Sequence, residues 1–235
     1  MIKKITLMLL VAVACVGCAE MSQVMGSGGT SASGSNPSLM ASAIKASLEL
    51  GSTRAADMLS KTGGYSQNPL YRIELPQQVQ PIATRLKQFG LGGQLERVEA
   101  LMNQGAEQAA SEAKSIFVDA VRAMTISDAL GIVRGNETAA TDYFRGQTEN
   151  TLRQRYLPII QSNLQQLGFY QQYQQLLSAY RQLPLSNKPD LDLEQHVLRQ
   201  SLDALFKQVG EEEKAIRQDP VGRGSAAIAT VFGMK

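Results

Sequence analysis

From Ser38 onward, apolar residues recur at three- and four-residue steps between glycines and prolines, which predicts a succession of helices. Ser38 is placed to cap a helix running to about Lys61, with Leu39, Ile44, Leu48, Met58 and Leu59 apolar and Gly63-Gly64 as its stop. Tyr71, Ile73 and Leu75 alternate with Arg72 and Glu74, the period of a short extended segment, and Pro76 blocks its continuation. A second helix fits Gln77 to Phe89, with Gly90, Gly92 and Gly93 as the next break. The clearest pattern, about Gln94 to Met124, puts Leu95, Val98, Met102, Ala106, Ala109, Ala113, Ile116 and Ala120 on one face. Its middle is rich in small residues (Gly105, Ala106, Ala109, Ala110 and Ala113), so this helix is expected at the centre, where neighbours approach closely.

Further along, Thr125 and Asp128 have the spacing of a capping box for a short helix to about Arg134, closed by Gly135. Asn136 is the expected cap of a long helix from Glu137 to about Leu167, which Pro158 should kink or break. Gly168 separates it from a helix over Phe169 to Gln182, and Pro184 to Pro189 reads as a loop. Asp190 or Asp192 caps the last long helix, whose apolar stripe is Leu198, Leu202, Leu205, Val209 and Ile216. Pro220 stops it, and Ser225 to Phe232 has room for a short terminal helix. The expected fold is all-α: one compact bundle of about eight helices over residues 38–235.

The preceding residues follow other rules. Lys3 and Lys4 stand before an apolar run, Ile5 to Val16, which suits a signal-peptide core and is shorter than the ~20 residues that span a bilayer. Gly17-Cys18 follows, and a small residue before cysteine at this place resembles the lipobox of bacterial lipoproteins. The resemblance implies a leader of residues 1–17 and an acylated Cys18, although Cys15 stands where the family usually has Leu. Cys15, behind Ala12-Val13-Ala14, is the alternative acceptor, and a plain secretory leader is the other reading. Residues 18–37, rich in Ser and Gly, read as a flexible tether. Ala19 rather than Asp after Cys18 implies, by the same resemblance, the periplasmic face of the outer membrane.

Charge narrows the partners. Of 23 Lys and Arg, two lie in the leader, which leaves 21 against 21 acidic residues, so no general excess of cations offers itself to nucleic acid. Apolar residues make up 43% of the 235, enough for a core, with no Trp in it. The helical part has no cysteine and one histidine, His196, expected to be partly exposed; neither disulfides nor a metal cluster is expected, and no cofactor. Zinc-protease, nucleophile-elbow, phosphate-loop and dinucleotide motifs are missing.

Ile73-Glu74-Leu75-Pro76, Asn103 with Ala106-Glu107, Thr125 to Ala129, Gly135, Ala139 to Arg145 and Pro158 form one ordered set, continued by Ala204-Leu205-Phe206, Glu212-Glu213, Ile216-Arg217, Pro220, Arg223 and Val231 to Gly233. Together and in this order they resemble one bacterial family, the domain-of-unknown-function 4197 family. The resemblance covers roughly Ser38 to Gly233 and implies an exported helical protein without implying an activity.

Candidate chemistry is carried by charges on apolar faces. The stripe of the last helix steps from Val209 to Glu212, with Glu213 beside it and Arg217 four residues on, a favourable ion-pair spacing; Arg223 is near enough in sequence to reach back. These groups make either a ligand-binding polar pocket or a structural network locking the C-terminal segment. Asp128, Thr141, Tyr143 and Arg145 surround the Gly135 turn and make either an anion-binding loop or helix caps with a core aromatic. Arg145 also belongs to an alternating-charge row with Asp142, Glu149 and Arg153, which reads as an exposed face. Glu107 flanks the small-residue helix as a general base or a helix-bonding group. The expected function is a membrane-anchored, non-enzymatic module for a protein partner or an apolar ligand. The alternative is an envelope hydrolase, which requires Glu107, Asp128 or Glu213 to converge in a cleft.

Overall fold

A computed structural model describes residues 37–77, 80–182, 192–224 and 229. The leader with Cys15 and Cys18, the Pro184–Pro189 loop and nearly all of the Ser225–Phe232 segment lie outside the described residues. Among the described residues the chain is helical, with no strand. The helices are α1 (Pro37–Leu59), α2 (Gln80–Gln88), α3 (Gly92–Ala110), α4 (Ala113–Ala123), α5 (Ile126–Arg134), α6 (Ala139–Gln166), α7 (Phe169–Arg181), α8 (Leu193–Gln218) and the single turn α9 (Pro220–Arg223). The all-α bundle is therefore as the periodicity requires: among the described residues, eight helices of nine residues or more, plus one turn.

The core lies where α3, α4, α6 and α8 meet, with α1 packed on α4, α5 and α8. Leu198, Leu202, Leu205, Val209 and Ile216 of α8 are all buried, as their spacing demands. Phe117 of α4 meets Phe144 of α6 and Phe206 of α8 edge to face, at centroid distances of 5.3 and 6.1 Å. In α3 the small residues do what small residues permit: Gly105 leaves only 3.1 Å between a would-be Cβ and Leu164 of α6. The buried row of α6 steps by four, through Phe144, Thr148, Leu152, Tyr156, Ile160 and Leu164. Each such step advances about 40° around a helix, so five steps carry the buried side through about 200°. One helix thereby faces α4 and α8 and also α3 and α7.

Several expectations are corrected. The long helix expected over Gln94–Met124 is two, α3 and α4, parted at Ser111-Glu112. There the Ser111 hydroxyl donates to the Gln108 carbonyl (2.9 Å) and the Glu112 N–H donates to Ala109, three residues back. The three-residue backbone bond takes the place of the four-residue ladder at this point. Ser38 lies inside the first turn of α1 rather than before it. Pro158 does not break α6; it sits on the exposed side, where water can serve the carbonyl that proline leaves without a donor. Pro220 stops α8 but also opens α9, capped by Asp219. α6 starts at Ala139, two residues late, because the Asn136 side chain accepts from the Thr138 N–H (3.0 Å) in a turn of its own. Asp192, not Asp190, is the observed cap of α8.

The extended segment alternates as expected, with Tyr71, Ile73 and Leu75 in and Arg72 and Glu74 out, but pairs with no strand among the described residues. Side chains stand in for a ladder. Asn103 of α3 accepts from the Ile73 N–H (2.9 Å) and donates to the Ile73 carbonyl (2.8 Å). Glu99 accepts from the Leu75 N–H, and His196 of α8 bonds the Glu74 carbonyl at 2.7 Å. His196 is buried, contrary to expectation, because that bond gives its ring nitrogen a partner inside the protein. Burial holds its pKa below the usual histidine value, and Arg199 adds to this against the opposing bond to Glu74.

Candidate functional site

The residues just ahead of α6 give its first turn no side-chain cap, so its N–H groups need an acceptor from elsewhere. Glu213 supplies it from α8. One carboxylate oxygen accepts from the Ala140 N–H (3.0 Å), the other from the Thr141 N–H (2.9 Å) and the Thr141 hydroxyl (2.8 Å). Arg217, one turn further along α8, donates Nε and Nη2 to Glu213 at 3.1 and 2.8 Å, and Nη2 also to the Ile132 carbonyl near the end of α5. The Arg217 and Glu213 side chains are 9% and 6% exposed. Gly210, one turn before Glu213, faces the same helix start: a Cβ there would stand in ordinary contact with the Thr141 hydroxyl, at 3.5 Å. The void beside the pair, lined by Gly51, Ile132, Phe144 and Ile216 among others, has about 20 Å³ of room, enough for one water.

Three candidates, Thr141, Glu213 and Arg217, are thus brought together, and what they do is join three helices. A carboxylate with five donors around it has its acceptor sites filled. Glu213, rather than Glu212, is the residue inside the seam; Glu212 is half-buried and accepts from Gln208, which in turn accepts from the Tyr71 hydroxyl. Arg223 does not join them: it is exposed, and it is its backbone carbonyl that meets Arg54.

Glu107 performs a similar service elsewhere. One oxygen accepts from the N–H groups of Gly63, Tyr65 and Ser66 and from the Ser66 hydroxyl, at 3.0–3.2 Å. It holds the turn after α1, where Gly63 takes a φ of +90° that other residues avoid. The Tyr65 phenol is fully buried and its pKa is pushed up, first by burial and then by Glu107. Arg145 lies on the outer side of α6, 3.2 Å from Asp203 and 4.7 Å above the Phe206 ring. The carboxylates a hydrolase cleft would need therefore do not converge: Glu107, Asp128 and Glu213 each serve a different turn or helix end.

Asp128 and Tyr143 do share a place. Thr125 and Asp128 form the full capping box, and the Tyr143 hydroxyl stands 3.5 Å from the same carboxylate oxygen. The bonds from the Thr125 side chain and backbone hold Asp128 below the usual carboxylate range, while burial and Asp128 push Tyr143 up. Both line a groove of about 470 Å³ between α4 and α6, within the size of small-molecule sites. Its apolar parts are Ile116, Ala120, Ala123 and the Tyr143 ring; its polar parts include Glu112, Asp119, Gln147, Thr151 and Arg155. The sequence pattern places Ile116 and Ala120 on a core-facing stripe, where they are half-buried at the groove instead, and among the groove's α4 and α6 positions it gives only Tyr143 as a site candidate. A signal existed in two antiparallel rows, 116-119-123 on α4, preceded by its cap residue Glu112, and 143-147-151-155 on α6, spaced as helix faces are. Among the described residues no cluster of three or more His, Cys, Asp and Glu is placed to hold a metal, and no helix is long and apolar enough to cross a membrane.

Comparison with known proteins adds one match. The family model described as Protein of unknown function (DUF4197) matches residues 35–233. No curated protein and no solved structure matches the chain.

Proposed function

The chain belongs to the DUF4197 family of proteins of unknown function, and from that premise we propose that it is an exported, acyl-anchored envelope lipoprotein whose helical domain is a binding module. The basic start, the apolar run Ile5–Val16 and the small residue before Cys18 support export and acylation, with delivery to the periplasmic face of the outer membrane. The observation that carries the binding role is the α4–α6 groove, which offers both apolar and polar lining to an elongated ligand or a partner's side chains. The dispersal of Glu107, Asp128 and Glu213 favours binding over hydrolysis, because a hydrolytic site needs its acid and base at one reacting bond.

Two measurements test this. The intact mass of protein extracted from envelopes should carry acyl groups on Cys18, or on Cys15. Protein purified under mild conditions should hold a ligand or partner, and Thr151→Trp, which places a large ring in the groove from an exposed helical position, should lose it while melting normally. Equal retention by the two proteins, or no cargo on either, refutes the groove as the site.

A further inference from the structure

The turn between α2 and α3 presents an aromatic ring to solvent by construction. The Leu91 N–H bonds the Leu86 carbonyl (2.9 Å) and the Gly90 N–H bonds the Lys87 carbonyl (3.1 Å), with Gly90 at φ +80°. These two bonds and the left-handed glycine make a Schellman ending for α2. In that ending Leu86 and Leu91 turn inward, and both pack on the core. The residue between them on the outer side is Phe89, which is 69% exposed. Around it the surface is open: a Cβ at Gly90 or Gly93 would touch nothing within 4 Å.

A lone exposed apolar side chain signals little. Here it coincides with three cations. Arg85 lies one turn before Phe89 on the same side of α2, the Lys87 stem lies beside Gly92, and Arg97 is on the second turn of α3. All three are exposed, and none of their side chains enters an ion pair or hydrogen bond among the described residues. Glu96 is the one exposed acid in the same two turns of α3, and Glu99 is engaged by Arg72. A ring at an apex with unpaired cations behind it is complementary to a bilayer interface, where the ring enters the acyl boundary and the cations meet anionic headgroups.

We propose that the Phe89 turn is a second membrane contact, by which the domain rests on an anionic lipid surface with Arg85, Lys87 and Arg97 against the headgroups. One ring and three cations are too few to hold a free protein at a bilayer. The contact acts on a domain already tethered, for which local lipid concentration is high, and in that respect it rests on the anchored reading above. It fixes which side of the bundle faces the bilayer.

The absence of Trp supplies the test. Phe89→Trp and, as control, Leu70→Trp at a comparably exposed turn each give a single tryptophan, excited at wavelengths that tyrosine does not absorb. The purified chain is coupled through its own cysteine thiols to vesicles bearing a maleimide lipid, so that tethering does not depend on natural acylation. Emission from the F89W protein should shift to the blue on vesicles with anionic phospholipid and be quenched by brominated acyl chains, while that from the L70W protein stays as in water. Replacing Arg85, Lys87 and Arg97 by Gln should weaken the shifted population about fivefold for each cation removed. No shift of the F89W emission on anionic vesicles, an equal shift for L70W, or an equal shift on purely zwitterionic vesicles overturns the proposal. A shift produced by solubilised envelope proteins but not by vesicles overturns it in favour of a protein partner. Lack of acyl mass on the natural protein would defeat the anchored reading and leave this measurement independent of it.

Discussion

Glu213→Gln is the sharpest perturbation of the junction between α5, α6 and α8. The change keeps size and shape, so no cavity arises, and its cost is electrostatic. Whichever way the new amide turns, its NH₂ must face donors: Thr141 N–H and hydroxyl on one side, Ala140 N–H and Arg217 on the other. Arg217, whose side chain is 9% exposed, also loses the charge of Glu213. Removing one partner of a buried ion pair costs about 3–5 kcal/mol. For a domain of this size each kcal/mol moves Tm by about 2–4 °C, so melting should fall by roughly 6–20 °C. Urea unfolding followed by far-UV circular dichroism measures the loss directly. Thr141→Val removes the hydroxyl alone and should cost about 1–2 kcal/mol, and the double variant should lose less than the sum because both act on one carboxylate. A loss under about 1 kcal/mol for Glu213→Gln, at unchanged m-value, refutes the argument that this carboxylate is the cap of α6. Normal stability with lost cargo would instead make Glu213 part of a binding site.

Other consequences are as direct. Asn103→Ala strands the buried N–H and carbonyl of Ile73 and should cost about 2–4 kcal/mol, with early protease cutting within residues 71–75; a neutral substitution would show that the extended segment is held by its apolar side chains alone. Pro158→Ala restores a donor on an exposed side of α6 and should raise stability by about 1–3 kcal/mol in the same urea assay; no gain would mean that water serves the freed carbonyl as well as a backbone N–H does. His196 binds its proton less readily folded than unfolded, so stability is complete above the ordinary histidine pKa and falls as pH drops through it toward the lower folded value. Stability measured from about pH 8 to about pH 5 should decline, and His196→Gln, which can still donate to Glu74, should flatten the decline; an unchanged slope would assign it to other groups.

The all-α class was legible in the sequence because helices announce themselves through local rules. The stripe of α8, the Thr125–Asp128 box, the glycine stops and the small-residue face of α3 all act within one to two turns of chain, and each appears as its spacing requires. Proline and polar breaks were less legible because their effect depends on surroundings. Pro158 is tolerated since it faces outward, and the apolar face over Gln94–Met124 is parted at Ser111-Glu112, where the backbone makes a three-residue bond. Spacing also placed Glu213 and Arg217 together, as i and i+4 on one helix, and left open whether they form a pocket or a lock.

What the tertiary structure alone decided is where polar atoms find partners far along the chain. Glu213 meets the start of α6, Glu107 the turn after α1, and His196 and Asn103 the two sides of one extended strip. Those pairings join residues 30 to 122 positions apart, beyond the reach of any periodic pattern. The groove is likewise a property of two helices at once: the rows on α4 and α6 are each ordinary surface positions until packing sets them face to face. A sequence fixes the faces of its helices through local geometry, but which face meets which is settled by burial and by the need of every buried polar group for a partner.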